Sequence, residues 1–236
     1  PEWIDSKILK KFGNETWSNS IVKLHDPNNI SNYKSNFYRR LAFDEILSSF
    51  LISSEIRKKI KKIKKDSKKF SKKNEIITIS KLNFELTSDQ KKTLRDINKD
   101  ISSKNKMFRL LQGDVGSGKT IVSLISALNV INSGYQVAFM APTEILARQH
   151  YTLSKKIFSN KINIEILSSK IDYSKKKIIL EKIKNNKTNI VFGTHSLFQK
   201  KIIFKKLGYI IIDEQHKFGV RQRKLLSDKG GRNCDI

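Results

Sequence analysis

A chain of 236 residues, 38% hydrophobic and 30% charged, fits a folded protein with one sizeable core, or one domain with a polar extension. Forty-eight Lys and Arg against 22 Asp and Glu leave a net charge of +26, which suits a polyanionic partner such as nucleic acid; Lys-rich coding in an AT-rich genome also produces such an excess as plain solvated surface. The single Cys234 excludes an internal disulfide, no Cys/His group has zinc-site spacing, and no apolar run approaches the roughly 18 residues of a membrane span, so a soluble protein of the reducing cytoplasm is expected.

Taken in chain order, the first strong pattern runs from residue 36 to about 63. There Phe43, Ile46, Leu47, Phe50, Leu51, Ile56, Ile60 and Ile63 recur at steps of three and four, predicting a long amphipathic helix. Its end merges into residues 57–73, where eleven Lys or Arg accompany one acid, Asp66. Such a run is either a solvated linker or a strip that contacts phosphates. Thr87 and Gln90 have capping-box spacing and open a helix carrying Leu94, Ile97 and Ile101.

Beyond this point short apolar runs alternate with helical patterns: MFRLLQ, TIVSLISALNVINS, QVAFMA, TEILARQHYTLSKKIF, INIEILS, YSKKKIILEKIK, TNIVF and GYIIID. The alternation predicts an α/β fold, a parallel sheet with helices on both faces. Gly134 is placed to end the helix after the first run, and Pro142 closes the strand QVAFMA.

Residues 113–120 read Gly113-Asp114-Val115-Gly116-Ser117-Gly118-Lys119-Thr120, the phosphate-loop pattern, set between apolar Leu110-Leu111 and a helix opening at Ile121. Glycines let the backbone close around phosphate oxygens, with the positive end of the helix dipole behind them. Lys119 supplies charge to the β and γ phosphates of a bound nucleotide such as ATP, and the Thr120 hydroxyl is a ligand for Mg²⁺.

Further on, four apolar residues from Tyr209 lead into Asp213-Glu214-Gln215-His216, at the carboxyl end of a buried strand where ligands collect. Beside a phosphate loop, Asp213 is expected in the Mg²⁺ shell and Glu214 as acceptor of a proton from attacking water. Without that loop, an acidic pair after a strand reads as solvated turn chemistry.

GDVGSGKT, APTEILARQH, FGTHSLFQ and IIIDEQHKFGVRQR, in this order, resemble the first motor domain of the RecG family of superfamily-two DNA helicases. The resemblance is strong over residues 76–236 and weaker before them, where PEW and RRLAFDEIL look like the stretch leaving the family's DNA-gripping wedge. It implies a RecA-like domain at 76–236 after a wedge-exit segment and basic linker at 1–75. It further implies that Phe84 and Gln90 read adenine, and that Thr143, Gly193, Thr194 and His195 face the DNA backbone. Gln215 and His216 would couple nucleotide state to DNA. One departure is Leu167-Ser168-Ser169-Lys170, where the family usually has Leu-Thr-Gly-Ser; Lys170 supplies charge where the glycine is lost.

The same resemblance implies an ATP-dependent helicase that remodels branched DNA and stalled forks in recombination and repair, with a second RecA-like domain as partner. From Pro1 and from Ile236, inside an apolar run, a fragment with little turnover of its own is expected. The motor of a transcription-repair coupling factor and a non-catalytic DNA-binding module are the alternatives.

Overall fold

The computed structural model describes residues 2–26, 28, 32–158, 160, 162–168, 170–199, 201–218 and 228–236. They fall into two compact units, Pro1–Lys59 and Ile60–Ile236.

In the first unit Asp5 caps α1 (Ser6–Leu9), Thr16 caps α2 (Trp17–His25), and α3 (Asn36–Lys62) follows over the span its periodicity predicts. Arg40 is fully buried, donates to Glu2 Oε1 at 2.7 Å and pairs with Asp44 one turn on. Phe43 meets Phe12 with ring centroids 5.3 Å apart. Farther along the predicted apolar stripe, Ile46, Phe50 and Leu51 are all more than half exposed, so only its first part is core.

The second unit contains α4 (Lys73–Ser80), α5 (Ser88–Ser102), α6 (Lys119–Asn132), β1 (Gln136–Met140), α7 (Glu144–Ile157), β2 (Ile164–Leu167), α8 (Tyr173–Lys184), β3 (Ile190–Gly193) and β4 (Leu207–Ile212). Among the described residues the strands form one parallel sheet in the order β2-β3-β1-β4. Every residue of β1 is buried, as a central strand covered on both faces requires. Its side chains alternate between two cores: Val137 and Phe139 join α5 and α6, whereas Ala138 and Met140 join Ile179 and Ile183 of α8. Helix α6 is apolar around most of its circumference, with Val122, Leu124, Ile125, Ala127, Leu128, Val130 and Ile131 all buried. Gly134 ends it at φ 79°, its N–H bonded to Ile131 O at 2.9 Å.

Two expectations change. Residues 107–112, read as a strand, form none. Their partner is the three-residue segment 234–236, reached by Ile236 N to Met107 O and Arg109 N to Ile236 O. Past those bonds Leu110 is 63% exposed. Segment 234–236 in turn pairs with β4 through Asp235 N to Gly208 O and Ile210 N to Asp235 O.

The basic run is the second change, because neither a solvated linker nor a phosphate strip describes Lys65 and Lys68. Both are buried against Asp235. Downstream, Ser133 Oγ donates to Lys69 O at 3.0 Å, and Glu75 of α4 accepts from Asn98 of α5 and Asn129 of α6. Lys65, Lys68 and Lys69 of the run are thereby bonded into the second unit.

Candidate nucleotide-binding site

The register of the sheet aligns the strand ends. Met140 stands opposite both Gly193 and Ile212, and Leu167 opposite Gly193. The segments leaving the sheet therefore emerge along one edge: Thr143, Ser168, Thr194 with His195, and Asp213 with Glu214. The sequence separates these groups by up to 71 residues, yet parallel pairing brings them to the carboxyl edge where ligands bind in open α/β sheets.

The phosphate loop leads into α6 with Gly118 as its N-cap, at φ 80°, and Gly116 at φ 82°. Both conformations are left-handed and favour glycine. Lys119 Nζ donates to Gly113 O at 2.7 Å and Asp114 O at 2.6 Å, so the ammonium is folded back across its own loop. Gln90 has two partners. Its Oε1 accepts from Thr87 N at 3.0 Å, completing the capping box of α5, and its Nε2 donates to Ser117 O at 2.9 Å. The cap and the tether to the loop are both present in one side chain. Phe84 stands six residues earlier with 51% of its surface exposed.

Asp213 leaves β4 half-buried, its backbone N–H bonded to Met140 O at 2.8 Å. Its Oδ2 lies 2.8 Å from His150 Nε2. An ionised carboxylate only accepts, so the Nε2–H donates. That bond holds the Asp213 carboxyl below the usual carboxylate range against the opposing effect of burial, helped by the His150 ring's charge, the Glu214 N–H and the Lys119 ammonium. Glu214 adopts φ 51° and ψ 53°, a left-handed conformation that costs a non-glycine residue about 1 kcal/mol. Gln215 begins the short turn Gln215–Lys217, while the side chain of His216 lies outside the described residues.

Along the same edge Thr143 caps α7, its Oγ1 accepting from Leu146 N. Gly193 is buried, and a Cβ there would come within 3.0 Å of Leu197 and 3.1 Å of Leu167 O, so its glycine serves close packing. Thr194 follows it, and His195 is exposed with its ring 5.2 Å from that of Phe218. Ser168 Oγ donates to Glu144 Oε2 at 3.0 Å and accepts from Lys170 N at 3.1 Å, linking the segments that leave β1 and β2. Ser169 lies outside the described residues.

His150 is absent from the sequence-derived site. Its signal is periodicity: Ala147, His150, Ser154 and Ile157 are the buried positions of α7, at steps of three and four. A histidine on such a stripe faces the sheet and, here, the end of β4.

For a divalent cation, Asp213 and the Thr120 hydroxyl make a sparse set, and among the described residues no group of three His, Cys, Asp or Glu gathers to hold a metal. Sparse protein ligation fits Mg²⁺, which keeps several waters and takes further oxygens from nucleotide phosphates.

The family model described as DEAD/DEAH box helicase matches residues 87–229, more than half of the chain, and covers the loop, α7, the Gly193 turn and the acids. The chain belongs to this family. It is 42% identical to the ATP-dependent DNA helicase RecG of Aquifex aeolicus over 241 aligned residues, covering 98% of this chain and 30% of that protein. With the protein of the same name from Borreliella burgdorferi it shares 40% identity, over 94% of this chain and 32% of the relative. Among solved structures it is similar to RecG bound to a three-way DNA junction, with a TM-score of 0.74 and 36% identity over 92% of this chain and 30% of that one. The UvsW helicase of bacteriophage T4, at 17% identity and TM-score 0.50, covers 71% of this chain and 58% of its own, and shares the fold. The chain thus spans about a third of the length of the curated relatives it matches. Among the described residues no helix is long and apolar enough to cross a membrane.

Proposed function

We propose that this chain is the ATP-binding half of a RecG-type DNA helicase or translocase that remodels branched DNA and stalled forks in recombination and repair. The observation that carries the reading is the helicase family match over residues 87–229, which takes in both the phosphate loop leading into α6 and Asp213 just past the end of β4. A phosphate loop beside an ionised carboxylate is the arrangement phosphoryl transfer uses. In this reading residues 1–75 form the wedge-exit segment and basic linker, and residues 76–236 the RecA-like domain.

The backbone N–H groups of 116–120 and the positive end of α6 bind the phosphates of ATP. Lys119 exchanges the Gly113 and Asp114 carbonyls for the β and γ phosphate oxygens. Thr120 and Asp213 would hold Mg²⁺, which would supply charge neutralisation at the phosphates. Glu214 accepts the proton of the attacking water, and Gln90 with Phe84 receives the adenine. Thr143, Gly193, Thr194 and His195 face the DNA backbone, with N–H and hydroxyl groups at strand ends meeting phosphates. Gln215 and His216 relay the nucleotide state to that face.

Positioned charge supplies most of such catalysis, and we assign the remaining part, an arginine at the transferred phosphate, to a second RecA-like domain outside these residues. The 236 residues alone therefore bind nucleotide weakly and turn it over slowly. The reducing cytoplasm is the compartment that suits a chain with one buried thiol.

The test is titration of a fluorescent ATP analogue into wild type and Lys119→Ala. A loss of affinity of at least about tenfold supports the site, as expected when a charge-assisted bond worth some 1.5–3 kcal/mol is removed. Equal binding by both would mean a vestigial loop and a DNA-binding module without a motor. Brisk DNA-stimulated hydrolysis by these residues alone would overturn the need for the second domain.

A further inference from the structure

His150 is buried and polar, and its ring bonds the carboxylate at the centre of the candidate site. Only 8% of its surface is exposed, its ring packs against Phe139 with centroids 4.8 Å apart and planes tilted by 41°, and its Nε2 lies 2.8 Å from Asp213 Oδ2. Neither the phosphate loop nor the acidic pair contains it. It comes from α7, whose first turn sits at the neighbouring strand end.

We propose that His150 is a positioning residue: it fixes the torsion of the Asp213 carboxylate so that its remaining lone pairs point toward the cation of a bound Mg²⁺-nucleotide. This rests on the reading of Asp213 as a metal-shell residue. An aspartate just past a strand end has rotamer freedom about two bonds, and metal ligation needs its oxygens held closely. Here Oδ2 is taken by an N–H whose own ring is clamped between the sheet and α7. Phe139 blocks one face of that ring, and Ala147 and Ser154, one turn to either side, are themselves buried. The imidazole thus has little room to swing away from Asp213. Hydrogen bonds that orient metal-binding side chains in this way typically contribute 10- to 100-fold to metal affinity.

The experiment measures binding of a fluorescent nucleotide by the 236-residue chain, first in EDTA and then across a Mg²⁺ titration, for wild type, Asp213→Ala, His150→Phe and His150→Gln. Phenylalanine keeps the aromatic contact with Phe139 and removes the donor, whereas glutamine replaces the donor at about the same reach. The expected result is that His150→Phe needs about tenfold or more Mg²⁺ for half-maximal enhancement of binding, with affinity in EDTA unchanged. His150→Gln returns to within about threefold of wild type. A His150→Phe titration that overlays wild type overturns the proposal, as does an equal loss in EDTA and in Mg²⁺, which would mark a purely structural role. If Asp213→Ala itself leaves the Mg²⁺ requirement unchanged, the assignment of Asp213 fails, an outcome distinct from failure of His150 alone.

Discussion

Lys68 and Asp235, 167 residues apart in the chain, meet at 2.7 Å with both side chains wholly buried. Lys65 donates to the same carboxylate oxygen, so one acid serves two ammonium groups. The remaining N–H bonds go to carbonyls, Asp100 and Ile101 for Lys65 and Asn233 for Lys68, and Lys68 also lies 5.1 Å from the centroid of the Tyr135 ring. Asp235 Oδ1 accepts from Met107 N at 2.8 Å. One carboxylate thus joins the basic run to the short segment that flanks β4.

The first prediction follows from that two-to-one stoichiometry. Removing one partner of a buried ion pair typically costs 3–5 kcal/mol, because the other charge is stranded. Asp235→Ala strands two and is expected at or above the top of that range. Lys65→Met leaves Lys68 and Asp235 as a neutral pair and is expected to cost at most about 2 kcal/mol. Urea unfolding of both variants decides it. Equal losses would mean that the carbonyls, and not the carboxylate, hold the lysines in place.

Elements whose signal is local were legible from the sequence. Helix α6 shows itself by apolar residues on nearly every side, α5 by its capping box, and β1 by five residues that all become buried. Residues 107–112 have comparable apolar character, but a strand requires a partner, and pairing with residue 236 through Met107 and Arg109 is a long-range fact that composition does not carry. Lys65 and Lys68 were illegible for the opposite reason: eleven basic residues read as solvent-facing, and only the position of Asp235 in the fold shows that two of them are not. At the candidate site, the phosphate loop and the acidic pair are readable as local motifs. His150 is not, because a histidine on a helix stripe has no partner until the sheet places Asp213 beside it.

Alkaline pH should weaken the second unit. Burial pushes the Cys234 thiol up to about 12 from 9.0 and the Tyr209 phenol up to about 12 from 10.0. In each case the folded pKa is raised, so the stabilising contribution is complete below the unfolded value and is lost as pH climbs toward 12. For the thiol alone the loss across that window is on the order of 4 kcal/mol. Urea midpoints at about pH 8 and about pH 10.5 should therefore fall less for Cys234→Ala than for wild type. Parallel falls would place the alkaline sensitivity elsewhere. The same burial predicts that a thiol reagent leaves native Cys234 unmodified at neutral pH.

Two glycines of the phosphate loop are equally left-handed but differ in surroundings. A Cβ on Gly116 meets nothing within 4 Å, whereas one on Gly118 would lie 2.4 Å from Gln90 Nε2. Alanine at either position carries backbone strain of about 1–2 kcal/mol. Gly118→Ala in addition expels the Gln90 amide from Ser117 O and strains the N-cap of α6, where the N–H groups of Lys119 and Thr120 are aimed. Gly118→Ala is expected to lose about 1 kcal/mol more stability than Gly116→Ala, the worth of the displaced hydrogen bond. Nucleotide affinity, read by fluorescence titration, should drop several-fold further for Gly118→Ala, and the opposite order would show that Gly116 carries the tighter approach to phosphate.

Gln90 allows its two bonds to be separated by one substitution. Glutamate retains the oxygen that accepts from Thr87 N at 3.0 Å, and Glu is itself a capping-box residue, so α5 should keep its start and the protein its stability to within about 1 kcal/mol. What Gln90→Glu lacks is the Nε2–H donor to Ser117 O, and it sets a negative charge beside that carbonyl and near the phosphates of a bound nucleotide. Loss of one hydrogen bond with added repulsion predicts a fall in adenine-nucleotide affinity of about tenfold, and a narrower preference for adenine over guanine nucleotides. Competition between the two nucleotides for a fluorescent analogue measures both quantities. If Gln90→Glu binds like wild type while Gln90→Ala lowers the melting temperature, the side chain is only a helix cap, and adenine is recognised by other groups.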